Sequence, residues 1–227
     1  MRGHDRTRTR IRPTVWAAWA GILGPVLFTV GYTAQEIARA DTFDPVALPV
    51  SALSIGPCGW VQQVNFALFG ILTFVFAAGL HRGPSATRGG AVGPALLAVS
   101  GVGLLVAGAF SLRVDAAGAV YDPGGHRVGA VLFFLVGALG LVVLSARLRR
   151  DPRWRSIAGY TLVAGAVAAT AFVAMAVFAL PEQAPLHAWT GLLQRVLLLL
   201  VLFPCRIVLA VRLLRTSAPA EAAAVGR

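Results

Sequence analysis

The side chains best equipped for chemistry in this chain are few, and they fall in a pattern. Asp115, Asp122 and His126 lie in or beside FSLRVDAAGAVYDPGGHR, the most polar passage between two long apolar runs. Glu36, Gln62, Asn65, Gln194 and Arg195 stand near the ends of other apolar runs, and Ser51 lies in the PVSALS segment between the first two. His126 and His187 with Asp115 or Asp122 would form a zinc set of three protein ligands and a water. Their spacing matches neither HExxH nor HxxxH, so helix-end hydrogen bonding is the ordinary role for each. A bis-histidine haem fits less well, because both histidines sit at loop edges. Ser51 or Ser54 with His126 as base would make a nucleophile pair. Without an orienting motif, turn formation or capping explains those serines more simply. Arg195 can extend outward along its stem or pair with Glu36 or Asp115. The buried pair is expected, because the acidic partners lie at the same depth. No metal or cofactor is assigned.

The elements that must hold these residues are membrane helices. The chain is 57% hydrophobic and 13% charged, with a mean hydropathy of +0.76, far too apolar for a soluble domain of 227 residues. Six apolar runs are predicted to cross, at 15–37, 59–80, 91–112, 127–146, 156–180 and 191–214. Each is about 20 residues, enough for roughly 30 Å of hydrocarbon. The first is expected to stay as an uncleaved helix, because it is long enough to cross and no small-x-small site ends it. Residues 1–13 read as a basic cytoplasmic segment, 14–214 as the membrane domain, and 215–227 as a disordered cytoplasmic tail.

The net charge of +11 comes from arginine alone. Those arginines flank the apolar runs, which is the positive-inside pattern and sets nucleic-acid binding aside. Arginine gathers at the N-terminus, after the second and fourth runs, and at the C-terminus. The other three loops collect Glu36, Asp41, Asp44, Asp115, Asp122 and Glu182. Both termini are therefore expected in the cytoplasm, with the acidic loops outside a plasma membrane. Recurring Gly and Ala within the runs suit close helix packing in lipid. Pro25 should kink the first helix and free a carbonyl. Trp16, Trp19, Trp60, Trp154 and Trp189 read as an interfacial belt. Arg206 is expected to point toward cytoplasmic headgroups, and RLRRDPRWR to contact them. Cys58 and Cys205 belong in opposite leaflets, beyond disulfide reach.

Taken together, the polar residues are expected to form one outward-opening pocket near Glu36, Gln62, Asn65, Asp115, His126 and Arg195, with Ser51 and Gln194 beside it. The segment from Asp41 to Pro57 would roof it. Ser51 and Leu53, Gly59-Trp60 with Asn65-Phe66 and Gly70, Gly108 and Phe110 with Asp115, His126 before Phe133-Phe134, and Gly191-Leu192 with Gln194-Arg195 resemble the family of domain-of-unknown-function 998. That resemblance implies an all-α, six-helix membrane protein of bacteria and archaea, with no established activity. A more distant likeness is to the membrane hydrolases that include alkaline ceramidases, which use a serine, an aspartate and three histidines around zinc. Ser51, Asp115, His126 and His187 are the counterparts present, but the paired histidines on a late helix are missing. The leading expectation is a non-enzymatic protein that binds a lipid headgroup or small polar ligand, or supports an envelope partner. The alternative is a metal-dependent hydrolase acting on lipid at the outer leaflet. A transporter is disfavoured, because no acidic or histidine residue continues a path through the inner half.

Overall fold

The computed structural model describes residues 13–56, 58–85, 90–116, 120–122 and 124–217. The basic segment and most of the tail expected from the sequence lie outside these residues. Six helices are long and apolar enough to cross a membrane: α1 Pro13–Ala38, α2 Gly59–Arg82, α3 Val92–Ala109, α4 Gly125–Arg150, α5 Arg155–Phe178 and α6 His187–Ser217. They run up and down. Each packs on its sequence neighbours, and α6 closes against α1 to complete a ring. A two-residue hairpin, β1 Arg113–Val114 with β2 Val120–Tyr121, joins α3 to α4.

Large apolar side chains such as Val30, Ile71, Val163 and Leu200 face outward, as lipid contact requires. Inside the ring, Phe28, Phe66, Phe69, Phe134, Phe172 and Phe203 fill one half. Phe76, Leu80, Leu144, Leu148, Trp154 and Leu213 fill the other. Hydrophobic burial gives little drive between helices already in lipid, so close backbone contact carries more of the packing. Gly103 and Gly129 meet in this way: a Cβ on either would come within 2.6 Å of the other's carbonyl oxygen. Gly70 and Gly101 make the same reciprocal contact between α2 and α3.

The two ends of the ring differ. At the basic end, the α2–α3 turn wraps the guanidinium of Arg147. That group donates to the carbonyls of Pro84 at 2.7 Å, His81 at 2.8 Å, Gly90 at 2.9 Å, Ser85 at 3.2 Å and Leu80 at 3.4 Å. Asp151 accepts from the Ser85 amide at 2.8 Å and hydroxyl at 3.0 Å, and pairs with Arg153 at 2.9 Å. The Arg153 hydrogen bonds outweigh burial, and with the Ser85 donors they hold the Asp151 carboxyl well below the usual carboxylate range. This corrects part of the sequence reading. Arg147 and Asp151 of RLRRDPRWR are buried fasteners, while Arg149, Arg150, Arg153 and Arg155 remain exposed. Trp154 is also fully buried and takes no part in a belt, whereas Trp16, Trp19, Trp60 and Trp189 are exposed.

At the opposite end, the segment between α1 and α2 turns inward as a lid. Its 3-10 turn Val50–Ser54 is buried at every residue. Both α4 and α6 contain a wide π-turn, at Leu132–Val136 and Leu197–Leu202. Such turns recur at functional sites because they widen the helix and redirect side chains.

Candidate functional site at the lidded end

The lid is held by side chains from α1 and α6. Arg195, about two turns into α6, pairs with Glu36 near the end of α1 through Nε at 3.0 Å and through Nη2. Its Nη1 donates to the carbonyls of Leu48 at 3.0 Å and Gly191 at 2.8 Å. The expected buried pair thus forms with Glu36, and the same guanidinium also grips the lid backbone. Gln194 accepts from the Val50 amide at 2.8 Å. The amides of Gly191 and Leu192 donate to Ala47 and Val46. A side chain at Gly191 would collide with the Leu48 and Pro45 carbonyls, so glycine permits this docking. Just past the end of α1, Arg39 donates to the carbonyls of Leu53 at 3.3 Å and Ile55 at 3.1 Å.

Below the lid, amide side chains tie α1 to α2. Gln35 donates to Gln62 at 2.9 Å, and Asn65 donates to the Phe28 carbonyl at 3.0 Å and to Gln62 at 3.3 Å. Gln62 and Asn65 share one face of α2, as their i, i+3 spacing requires. Gln62 is wholly buried, and its Nε2 has no partner among the described residues.

The histidines close helix ends. A helix leaves its last carbonyls without internal donors. His126 Nδ1 lies 3.0 Å from the Ala107 carbonyl at the end of α3, and Phe110 supplies a second backbone contact. His187 Nδ1 lies 3.1 Å from the Ala179 carbonyl just beyond α5. Asp122 does the complementary work at the start of α4, accepting the amides of Arg127 at 2.6 Å, Gly124 at 2.9 Å and His126 at 3.1 Å. Burial alone would raise the Asp122 carboxyl, but these three donors hold it below its ordinary value. Gly124 supplies the left-handed turn there, at φ 109°.

The expected site residues therefore separate into groups. Glu36, Gln194 and Arg195 fasten the lid; Gln62 and Asn65 belong to the amide chain; Asp115 lies exposed on the hairpin. Ser51, His126 and Gln194 meet at a cavity of about 40 Å³ under the lid. Its remaining wall is apolar, including Phe28, Phe66, Leu104, Phe134 and Leu198. Among the described residues, no group of three or more His, Cys, Asp or Glu is placed to hold a metal. Cys58 and Cys205 are both free thiols.

Sequence reading placed Gln35 beside Glu36 among the polar residues ending the first helix, but missed Arg39 as a fastener of the lid. Arg39 carried a signal, since it is one of few arginines in an otherwise arginine-poor loop. Arg206 is a correction of direction. Its guanidinium turns into the ring, between the rings of Phe69 and Phe76, with its carbon 4.9 and 4.8 Å from their centroids. The signal for that lay in Pro25, which lacks the N–H that would bond the carbonyl four residues back. That carbonyl is Gly21, and Arg206 Nε donates to it at 3.2 Å.

The ring of six apolar helices, with a polar lid at one end and a basic clasp at the other, defines a multi-pass integral membrane protein. Over residues 22–219 the chain matches the family model described as "Protein of unknown function (DUF998)". It belongs to that family. No curated protein and no solved structure matches it.

Proposed function

We propose that this is a non-enzymatic protein of the cell membrane, with the lid outside and both chain ends in the cytoplasm, that holds a small uncharged group of an amphiphile under the lid. The arginine distribution supports the orientation. One observation carries the functional reading: the acid–base groups that stand at the helix ends of the lidded end are already engaged with structural partners. Glu36 and Arg195 neutralise each other, and His126, His187 and Asp122 close helix ends. The cavity under the lid, which His126 alone of these groups borders, is narrow and mostly apolar, with Ser51, His126 and Gln194 as its polar edge. Such a lining suits a hydroxyl or amide on an apolar chain and rejects an ionised headgroup, which would lose its hydration without gaining a counter-charge. A role in supporting a protein partner in the envelope has no observation of its own.

The test is native mass spectrometry of the protein extracted with its surrounding lipid, beside a Leu198→Phe variant that fills the cavity. The reading expects an amphiphile of fixed mass on the wild-type chain and its loss from the variant. No retained adduct, or one equally retained by the variant, overturns the binding reading. Turnover of lipid by the purified protein, lost in His126→Ala, would replace it with the hydrolase alternative.

A further inference from the structure

A second cavity, of about 50 Å³, lies deeper in the ring toward the basic end. Phe133, on the π-turn of α4, borders both this cavity and the one under the lid. Phe69, Thr73, Ser100, Phe203 and Arg206 contribute to its wall. Arg206 lies about 16 Å along α6 from Ser217, and Thr73 and Gly21 lie about 12–14 Å from the same end of their own helices. A guanidinium at such depth is costly to hold away from water, so it needs compensation from its surroundings.

The protein supplies part of that compensation. Nε donates to the Gly21 carbonyl, Nη1 donates to the Thr73 hydroxyl at 2.9 Å, and the Phe69 and Phe76 rings cover the two faces. Nη2 is buried and has no acceptor among the described residues. Glu36 and Asp151 pair with other arginines, Arg195 and Arg153. A full positive charge therefore stands beside a cavity with dipoles and rings around it and, among the described residues, no paired carboxylate.

We propose that Arg206 anchors an internal site for a small monovalent inorganic anion of the chloride class. Charge sets the valence, because one guanidinium balances one negative charge. Size sets the class: at about 10–15 Å³ per water, the cavity takes a few waters or one small anion with a water, and a phosphate ester does not fit. The hydroxyls of Thr73 and Ser100 now donate to the Phe69 and Leu97 carbonyls, each at 2.7 Å. Hydroxyl rotors can turn from a helix carbonyl to an anion without moving the backbone. This site is independent of the cavity under the lid and of any amphiphile held there.

The experiment is thermal unfolding of the full chain in detergent, at constant ionic strength, with gluconate replaced stepwise by chloride, bromide or sulfate. A ligand at concentration L that binds only the folded state stabilises it in proportion to ln(1 + L/Kd), so Tm must climb logarithmically once the halide concentration passes Kd. The expected result is a rise in Tm with chloride and bromide, none with sulfate, and loss of the halide response in Arg206→Gln. Ser100→Val, which narrows the cavity and keeps the arginine, should raise the halide concentration needed for the same rise in Tm at least tenfold. It serves as the deciding variant if Arg206→Gln does not fold. Equal Tm in gluconate and chloride, or a halide response unchanged in Ser100→Val, overturns the proposal and leaves water as the occupant.

Discussion

Replacing Arg195 with Met should loosen the lid, and the structure fixes the size of the effect. The substitution removes two contacts to Glu36 and two to the carbonyls of Leu48 and Gly191. Removing one partner of a buried ion pair typically costs about 3–5 kcal/mol. The two side chains here retain 11% and 16% exposure, so partial screening lowers the expected loss to about 2–4 kcal/mol. Glu36→Gln keeps the shape and leaves Arg195 its two carbonyls, and should cost about 1–2 kcal/mol. The double variant removes both charges, so its loss should fall short of the sum by about 1–3 kcal/mol. Reversible unfolding in mixed micelles, read by tryptophan fluorescence, measures all four corners of the cycle. Additive losses would refute the reasoning, because they would mean that Glu36 and Arg195 do not act on each other.

Three further outcomes follow from the same contacts. Arg147→Ala should cost about 3 kcal/mol or more in the same assay, since it orphans several buried carbonyls of the α2–α3 turn at once. Gly103→Ala should destabilise by about 1–3 kcal/mol, because its Cβ meets the Gly129 backbone and no side chain can move aside; Gly159→Ala, which meets nothing within 4 Å, is the neutral control. Asp151→Asn should lower stability near neutral pH. The carboxyl is depressed in the folded state, so its contribution is fully present above the unfolded value near 3.9 and lost as pH falls through the lower folded value. The gap between wild type and variant should therefore close in strong acid, which pH-dependent unfolding will show.

The six crossings were legible because hydropathy and length are properties of composition, and helices in lipid must be apolar along their whole length. That Arg195 would pair with a carboxylate at its own depth was legible for a related reason, as opposite charges there have few other ways to be satisfied, but the choice of Glu36 over Asp115 came only with the structure. Direction was harder. Arg206 lies in a run whose composition says nothing about which face looks inward, and the carbonyl that receives it was freed by a proline on another helix. Trp154 and Arg147 misled in the same way: an aromatic or a cation near a helix end suits an interface, but here the α2–α3 turn folds over both. The π-turns at Leu132–Val136 and Leu197–Leu202 left no sign in their leucine- and phenylalanine-rich sequences. The expected site residues lie in separate groups in the structure; helix-end bonding of His126 was the ordinary expectation for a histidine there, but the bond of Gln194 to the Val50 amide was not legible, because backbone partners are invisible in a list of side chains.

The account depends most on the polar residues of the lidded end serving to fasten residues 46–55 over the ring. Hydrogen–deuterium exchange of the wild-type protein in lipid nanodiscs tests this directly. Protection of the Val50, Ala52 and Ile55 amides comparable to mid-helix positions, falling by at least tenfold in Arg195→Met, is the predicted result. Exchange of those amides at the rate of an open loop in the wild-type protein would contradict it.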